Sequence, residues 1–159
     1  MTTTDTDTSV HRSVVVQATR DRAFRVFTEG IGSWWPAEHH LLGAELAEMV
    51  FEPRVGGHVI DRAVDGSECR WSRVLAYDPP ERFVMSWDIS LAWQIETDPA
   101  RTSEIEVTFT DLGDGTTRVD LDHRHLDRHG DGWEGMRSAV GSPDGWQVGL
   151  DRFSATVAG

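Results

Sequence analysis

The residues best suited to chemistry lie near the end of a strand-like segment, where His123, His125 and His129 form a His-x-His-x3-His run. Imidazole changes charge near neutral pH and is the commonest transition-metal ligand, so the run suggests proton transfer or metal binding. His123 and His125 continue the alternation of Val119 and Leu121, which aims both at whatever that face covers. They are the candidate catalytic residues, as proton shuttles or as donors to a ligand. The metal reading is not adopted: no helix-borne acid accompanies the histidines, and nothing in the pattern holds His129 at a matching distance. No metal and no other cofactor is expected. The adjacent His39 and His40 read as a solvated loop pair.

Other motifs exclude more than they assign. Gly130-x-Gly132-x-x-Gly135 spells the dinucleotide fingerprint, but Asp131, Trp133 and Glu134 put negative charge and bulk where a pyrophosphate would approach. It reads instead as a flexible glycine-rich loop able to act as a lid. No Gly-x-Ser-x-Gly elbow supports hydrolase chemistry. All 15 basic residues are arginine, which removes lysine Schiff-base chemistry and the Walker-A phosphate loop. Cys69 is the single cysteine, so there is no internal disulfide and no cysteine-rich metal site, and it is expected to be packed in a strand.

The 7 tryptophans are the remaining clue. Trp71, Trp87 and Trp93 lie on or just after central strands, and Trp34-Trp35 fall at the end of the first helical region. Indoles gathered on one side of a sheet make a wall for a planar apolar ligand. The candidate ligand-binding set is Trp35, Trp71, Trp87, Trp93, His123, Trp146 and Phe153, while Met85 and Phe109 are assigned to the core.

The elements that must position these residues follow from periodicity. The β-branched run Ser13-Val14-Val15-Val16 predicts a first strand within Val10 to Ala18, and Thr19 then offers an N-cap. The helix it starts carries Ala23, Phe24 and Phe27 on one face and stops at Gly30. A loop or short second helix is expected over 37–45, making a short helix pair. The period then changes to two, with turn signals at Gly56-Gly57, Asp65-Gly66, Asp78-Pro79-Pro80-Glu81 and Asp114-Gly115, the signature of an antiparallel meander. Ser103, Ile105, Val107 and Phe109 predict a buried face. Phe83, Met85 and Trp87 alternate with Val84, Ser86 and Asp88 in the same way, one face buried and one wet. A short helix is expected from about Gly132 to Val140. Ser142-Pro143-Asp144 then predicts a capped helix running to about Ala158, roughly 24 Å long, with Trp146, Leu150, Phe153 and Val157 on one face.

Length and charge bound the rest. The 159 residues fit one domain with a real core, assigned to 10–159 after a disordered polar tail at 1–9. The formal charge of -12 repels phosphate backbones, so no nucleic-acid partner is expected. No apolar run is long enough to span a membrane, no secretory signal opens the chain, and a cytoplasmic location is the expectation.

One further set of residues carries a resemblance. Phe27 with Gly30, Ile31 and Trp34-Trp35-Pro36 is followed by Phe51-Glu52-Pro53-Arg54-Val55-Gly56-Gly57 and by Arg73-Val74-Leu75 with Pro79-Pro80-Glu81-Arg82. Thr117-Arg118-Val119 then leads to Asp122-His123-Arg124, and Gly145-Trp146 precedes Leu150 and Phe153. In order and spacing these features resemble the SRPBCC, or START-like, superfamily, in the branch similar to the activator of heat-shock-protein ATPase. The resemblance implies an α+β helix-grip fold: a curved antiparallel sheet of about seven strands wrapped around a long C-terminal helix, with a cavity beneath that helix. It also makes a monomer or small homodimer the expected state.

Three functions are then expected in order. The first is binding of a small hydrophobic or aromatic ligand between sheet and helix, with no established catalysis. The second is an enzyme similar to the polyketide cyclases and aromatases of the superfamily, using a cavity histidine for proton transfer. The third is a chaperone partner that activates an ATPase, although the resemblance implies that such activators carry an additional N-terminal domain.

Overall fold

A computed structural model describes residues 8–36 and 39–158. Most of the expected polar tail, and residues 37 and 38 of the expected loop, lie outside the described residues. Seven strands form a single antiparallel sheet in the order β1-β7-β6-β5-β4-β3-β2. They are β1 (Val10–Val16), β2 (Leu46–Phe51), β3 (His58–Ala63), β4 (Glu68–Asp78), β5 (Arg82–Trp87), β6 (Ser103–Gly113) and β7 (Thr116–Arg124). Among the described residues the α-helices are α1 (Arg20–Thr28), α2 (Trp133–Val140) and α3 (Val148–Ala158). This is the α+β helix-grip architecture, with α3 crossing the concave face of the sheet.

The sheet curves because its pairing is interrupted. Register shifts fall between Leu46 and Glu48, between Val59 and Ile60, and between Val74 and Ala76. Each such irregularity inserts residues on one strand and increases the local bend and twist. Gly56, at φ +87°, turns the chain between β2 and β3 so that its amide donates to Val74 O at 2.9 Å. An L side chain rarely adopts that conformation.

Helix α1 starts where Thr19 Oγ1 accepts from the Arg22 amide at 3.3 Å, and its buried face is Ala23, Phe24, Phe27 and Thr28. Phe27 packs between Trp34 (4.7 Å between ring centroids), Phe153 of α3 (5.0 Å) and Phe83 of β5 (5.7 Å). This aromatic cluster fills one end of the space between sheet and helix. The expected helix pair is α1 followed by a single 3-10 turn, Ile31–Ser33, because Gly30 ends the helix and leaves room for one turn only before Trp34.

Two other expectations change. Strand β5 has no wet face: Val84, Ser86 and Asp88 are as buried as Phe83, Met85 and Trp87. Their polar groups are satisfied within the protein. Ser86 Oγ accepts from the Arg73 amide at 2.8 Å, and Asp88 holds the Arg73 guanidinium through two hydrogen bonds of 3.0 Å. The C-terminal helix is also bent rather than straight. Ser142 does not cap it; its hydroxyl donates backwards to Ala139 O at 2.8 Å. Residues Pro143–Gln147 form a wide turn with Gly145 outside helical geometry at φ -91°, ψ -127°, and regular helix begins at Val148. The Val140 carbonyl occupies the place a Cβ on Gly145 would need. Trp146, Leu150, Phe153 and Val157 nevertheless share the buried side.

Candidate functional site

Beside the aromatic cluster, at the other end of the same sheet-helix space, lies a cavity of about 460 Å³. That is within the roughly 300–1,000 Å³ typical of small-molecule sites. The sheet contributes Asp61 from β3, Trp71 from β4 and Trp87 from β5. The segment after the 3-10 turn adds Trp35, Pro36, His39, His40 and Leu41, and the bend before α3 supplies Gly145 and Trp146. Trp93, at φ +59° and 49% exposed, stands at the rim on the loop after β5.

The indoles form a closed ring. Trp35 lies 5.1 Å from Trp71, Trp71 5.8 Å from Trp87, Trp87 5.9 Å from Trp146, and Trp146 5.6 Å from Trp35, centroid to centroid. Three of these contacts are steeply tilted or edge-on, at interplanar angles of 61° to 81°. Such contacts support one another while leaving ring faces available.

Asp61 is the acid of this wall. It is 2% exposed, and its Oδ1 accepts from Trp71 Nε1 at 3.0 Å. Burial pushes its carboxyl up to about 6, against the lowering effect of the Trp71 hydrogen bond and of positive charge on His40. His40 Nδ1 accepts from the Leu42 amide at 3.1 Å, so in the neutral ring the proton is on Nε2.

Behind Trp87 and Trp146 runs a second buried polar system. Trp146 Nε1 donates to His123 Nδ1 at 3.1 Å, so the His123 proton sits on Nε2, 2.7 Å from Ser103 Oγ. The Ser103 hydroxyl then donates to His129 Nε2 at 2.8 Å, leaving the His129 proton on Nδ1. That Nδ1 is buried and has no acceptor among the described residues. Burial pushes His123 down to about 3, with nearby His129 adding to the effect, and burial also lowers His129.

Residues 17–158 match the family described as activator of Hsp90 ATPase homolog 1-like protein. The chain belongs to that family. It is an AHSA-like branch of the SRPBCC superfamily, in agreement with the resemblance read from the sequence. Among solved structures the chain is similar to Txn09, an anthrahydroquino-γ-pyrone synthase, at 43% identity and a TM-score of 0.67, over 94% of this chain and 96% of that one. It is also similar to CalC from Micromonospora echinospora, a self-sacrificing resistance protein, at 31% identity and a TM-score of 0.67, over 95% and 94% of the two chains. A Nitrosomonas europaea protein, NE0264, at 12% identity and a TM-score of 0.66 over 94% of each chain, shares the fold. No curated protein matches the sequence.

On this AHSA-like scaffold, the residues singled out in the sequence divide in two. Trp35, Trp71, Trp87, Trp93 and Trp146 come together around one cavity. Phe153 lies in the aromatic core against Phe27 and Trp34, away from the cavity wall. His123 is 0% exposed, lies behind the wall, and has both ring nitrogens committed. His125 does not continue the β7 face, because its backbone turns into the left-handed region at φ 60°. Neither histidine therefore lines the cavity.

The structure also corrects the reading of the other histidines. His129, which no sequence pattern held at a metal-binding distance, lies on the 3-10 turn Leu126–His129 and is hydrogen-bonded to Ser103. His39 and His40, read as a solvated pair, line the cavity. Among the described residues there is no cluster of three or more metal-ligating side chains. Asp61 was missed, yet a signal existed: Val59, Asp61 and Ala63 share one face of a strand, so an acid stands among apolar neighbours.

Proposed function

We propose that this protein binds a planar, largely apolar aromatic metabolite in the tryptophan-walled cavity. The closed ring of Trp35, Trp71, Trp87 and Trp146 carries the reading, because four rigid indoles offer flat faces that suit an aromatic ring system better than a flexible chain. Affinity comes mainly from apolar burial, at about 25 cal/mol per Å², with a few polar groups setting orientation. Quenching of tryptophan fluorescence tests this. 9-Fluorenone is expected to bind in the micromolar range and a twelve-carbon alcohol far more weakly. Trp87→Ala is expected to weaken fluorenone binding by about tenfold or more, as removal of a buried anchor does. Equal binding of the aliphatic alcohol would sink the aromatic reading.

A second reading is a ring-closing enzyme, favoured by Asp61 at the wall and by the 43% identity to a pyrone synthase. In such a step a ligand hydroxyl gives its proton to the Asp61 carboxylate as its oxygen bonds to an electrophilic carbon of a conjugated ketone. The carbanion formed then takes the proton back, so the product is an isomer and no oxidant is consumed. A carboxyl near 6 is suited to both halves of that exchange at neutral pH. With a hydroxyaryl ynone as substrate, Asp61→Asn is expected to lower kcat by about 10²-fold or more, beyond any loss of substrate affinity. An unchanged kcat would remove Asp61 from the reaction.

A further inference from the structure

The polar groups in the cavity wall define what kind of aromatic it takes, an inference that rests on the aromatic-binding reading above. The titratable residues of the lining are Asp61, Asp144, His39 and His40, and no arginine is among them. The wall is thus acidic or neutral, on a chain of formal charge -12. One oxygen of Asp61 is held by Trp71 Nε1, and the other, Oδ2, has no protein partner among the described residues. Trp87 lines the cavity with its ring, while its Nε1–H is sealed from solvent and has no acceptor among the described residues. An acceptor left open in an apolar wall is costly unless water or a ligand pairs it.

We propose that the cavity selects an uncharged hydroxylated aromatic, whose hydroxyl donates to Asp61 Oδ2, and that it rejects aromatics bearing a carboxylate or sulfonate. Rejection follows from placing a second negative charge beside a buried carboxylate in a described lining that holds no arginine. Among the described lining groups, His39 and His40 alone can offset that charge, and only when protonated. Cys69, on the neighbouring strand, is a neutral thiol whose titration burial pushes upward.

Three matched planar ketones test the proposal at pH 7.5 by tryptophan quenching: 9-fluorenone, 2-hydroxy-9-fluorenone and 9-fluorenone-2-carboxylate. The hydroxyl compound is expected to bind about tenfold or more tighter than the parent, the gain of one charge-assisted hydrogen bond. The carboxylate is expected to bind at least about tenfold more weakly than the parent. Asp61→Asn turns the free acceptor into an amide donor and removes the charge, so the spread among the three compounds should collapse. A carboxylate that binds as well as the parent, or a hydroxyl that brings no gain, overturns the selectivity while leaving aromatic binding intact. Failure of all three, the parent included, would instead remove the aromatic reading and this inference with it. The comparison among ligands uses the unmodified protein, so it stands even if the variant does not fold.

Discussion

Trp146, whose indole closes the cavity wall, donates its Nε1–H to Nδ1 of His123 at 3.1 Å, so a cavity-facing ring is held from behind by a fully buried imidazole. His123 is thereby a positioning residue. His123→Leu removes the acceptor of Trp146 and the donor to Ser103 while keeping similar volume. It is expected to cost about 1–3 kcal/mol of stability for each polar group left unpaired. His123→Gln, which keeps an acceptor and a donor, is expected to lose clearly less. Urea unfolding midpoints compare the two, and equal losses would show that the imidazole only fills space.

The same histidine makes the fold acid-sensitive. Its folded value lies near 3, below the ordinary 6.5, so between those values the unfolded chain binds a proton that the folded chain refuses. Stability contributed in this way is complete above pH 6.5. It is lost as pH falls from there toward 3, at up to about 1.4 kcal/mol per pH unit. The slope of urea midpoint against pH should flatten in His123→Leu, and an unchanged slope would assign the acid sensitivity to other groups.

Asp61 acts in the opposite direction. With its carboxyl raised to about 6, the folded state holds a proton between about pH 4 and 6 that the unfolded state has lost. Its contribution is therefore greatest below about pH 4 and falls as pH rises through 6. Asp61→Asn should gain on the wild type over that range, by roughly 1–3 kcal/mol at pH 7.5. Trp71→Phe keeps the ring but deletes the N–H that holds Oδ1, and should raise the Asp61 titration further. Carbon-13 NMR of the carboxyl reads this directly, and a downward shift would contradict the assigned hydrogen bond.

Gly145→Ala probes the bend before α3. The Val140 carbonyl occupies the space a methyl would need, and the obstructing atom is backbone, which cannot turn aside. The substitution is expected to cost about 1–3 kcal/mol, typical of overpacking, and to loosen the wall that Trp146 completes. Thermal unfolding measures the first effect and 9-fluorenone affinity the second. An unaltered melting temperature would mean the bend relaxes freely.

The alternating strands, the turn dipeptides, Thr19 as a cap and the apolar face Trp146, Leu150, Phe153 and Val157 were all legible in the amino-acid sequence, because periodicity and turn chemistry are local properties. The gathering of the indoles was an expectation that residue types made reasonable, though nothing local says which face of one strand meets which face of another. Tertiary structure alone decided where the histidines went. The left-handed turn at His125 ends the alternation, and the 3-10 turn after it brings His129 back against Ser103 and His123. It also decided that Asp61 is a buried acid of the cavity wall, since an aspartate on a strand becomes a perturbed carboxylate only when distant segments remove water from around it. The sequence by itself thus determined a sheet, a terminal helix and an aromatic-rich apolar interior. Which polar groups face the cavity was set by long-range packing, because burial and hydrogen-bond partners belong to no single segment.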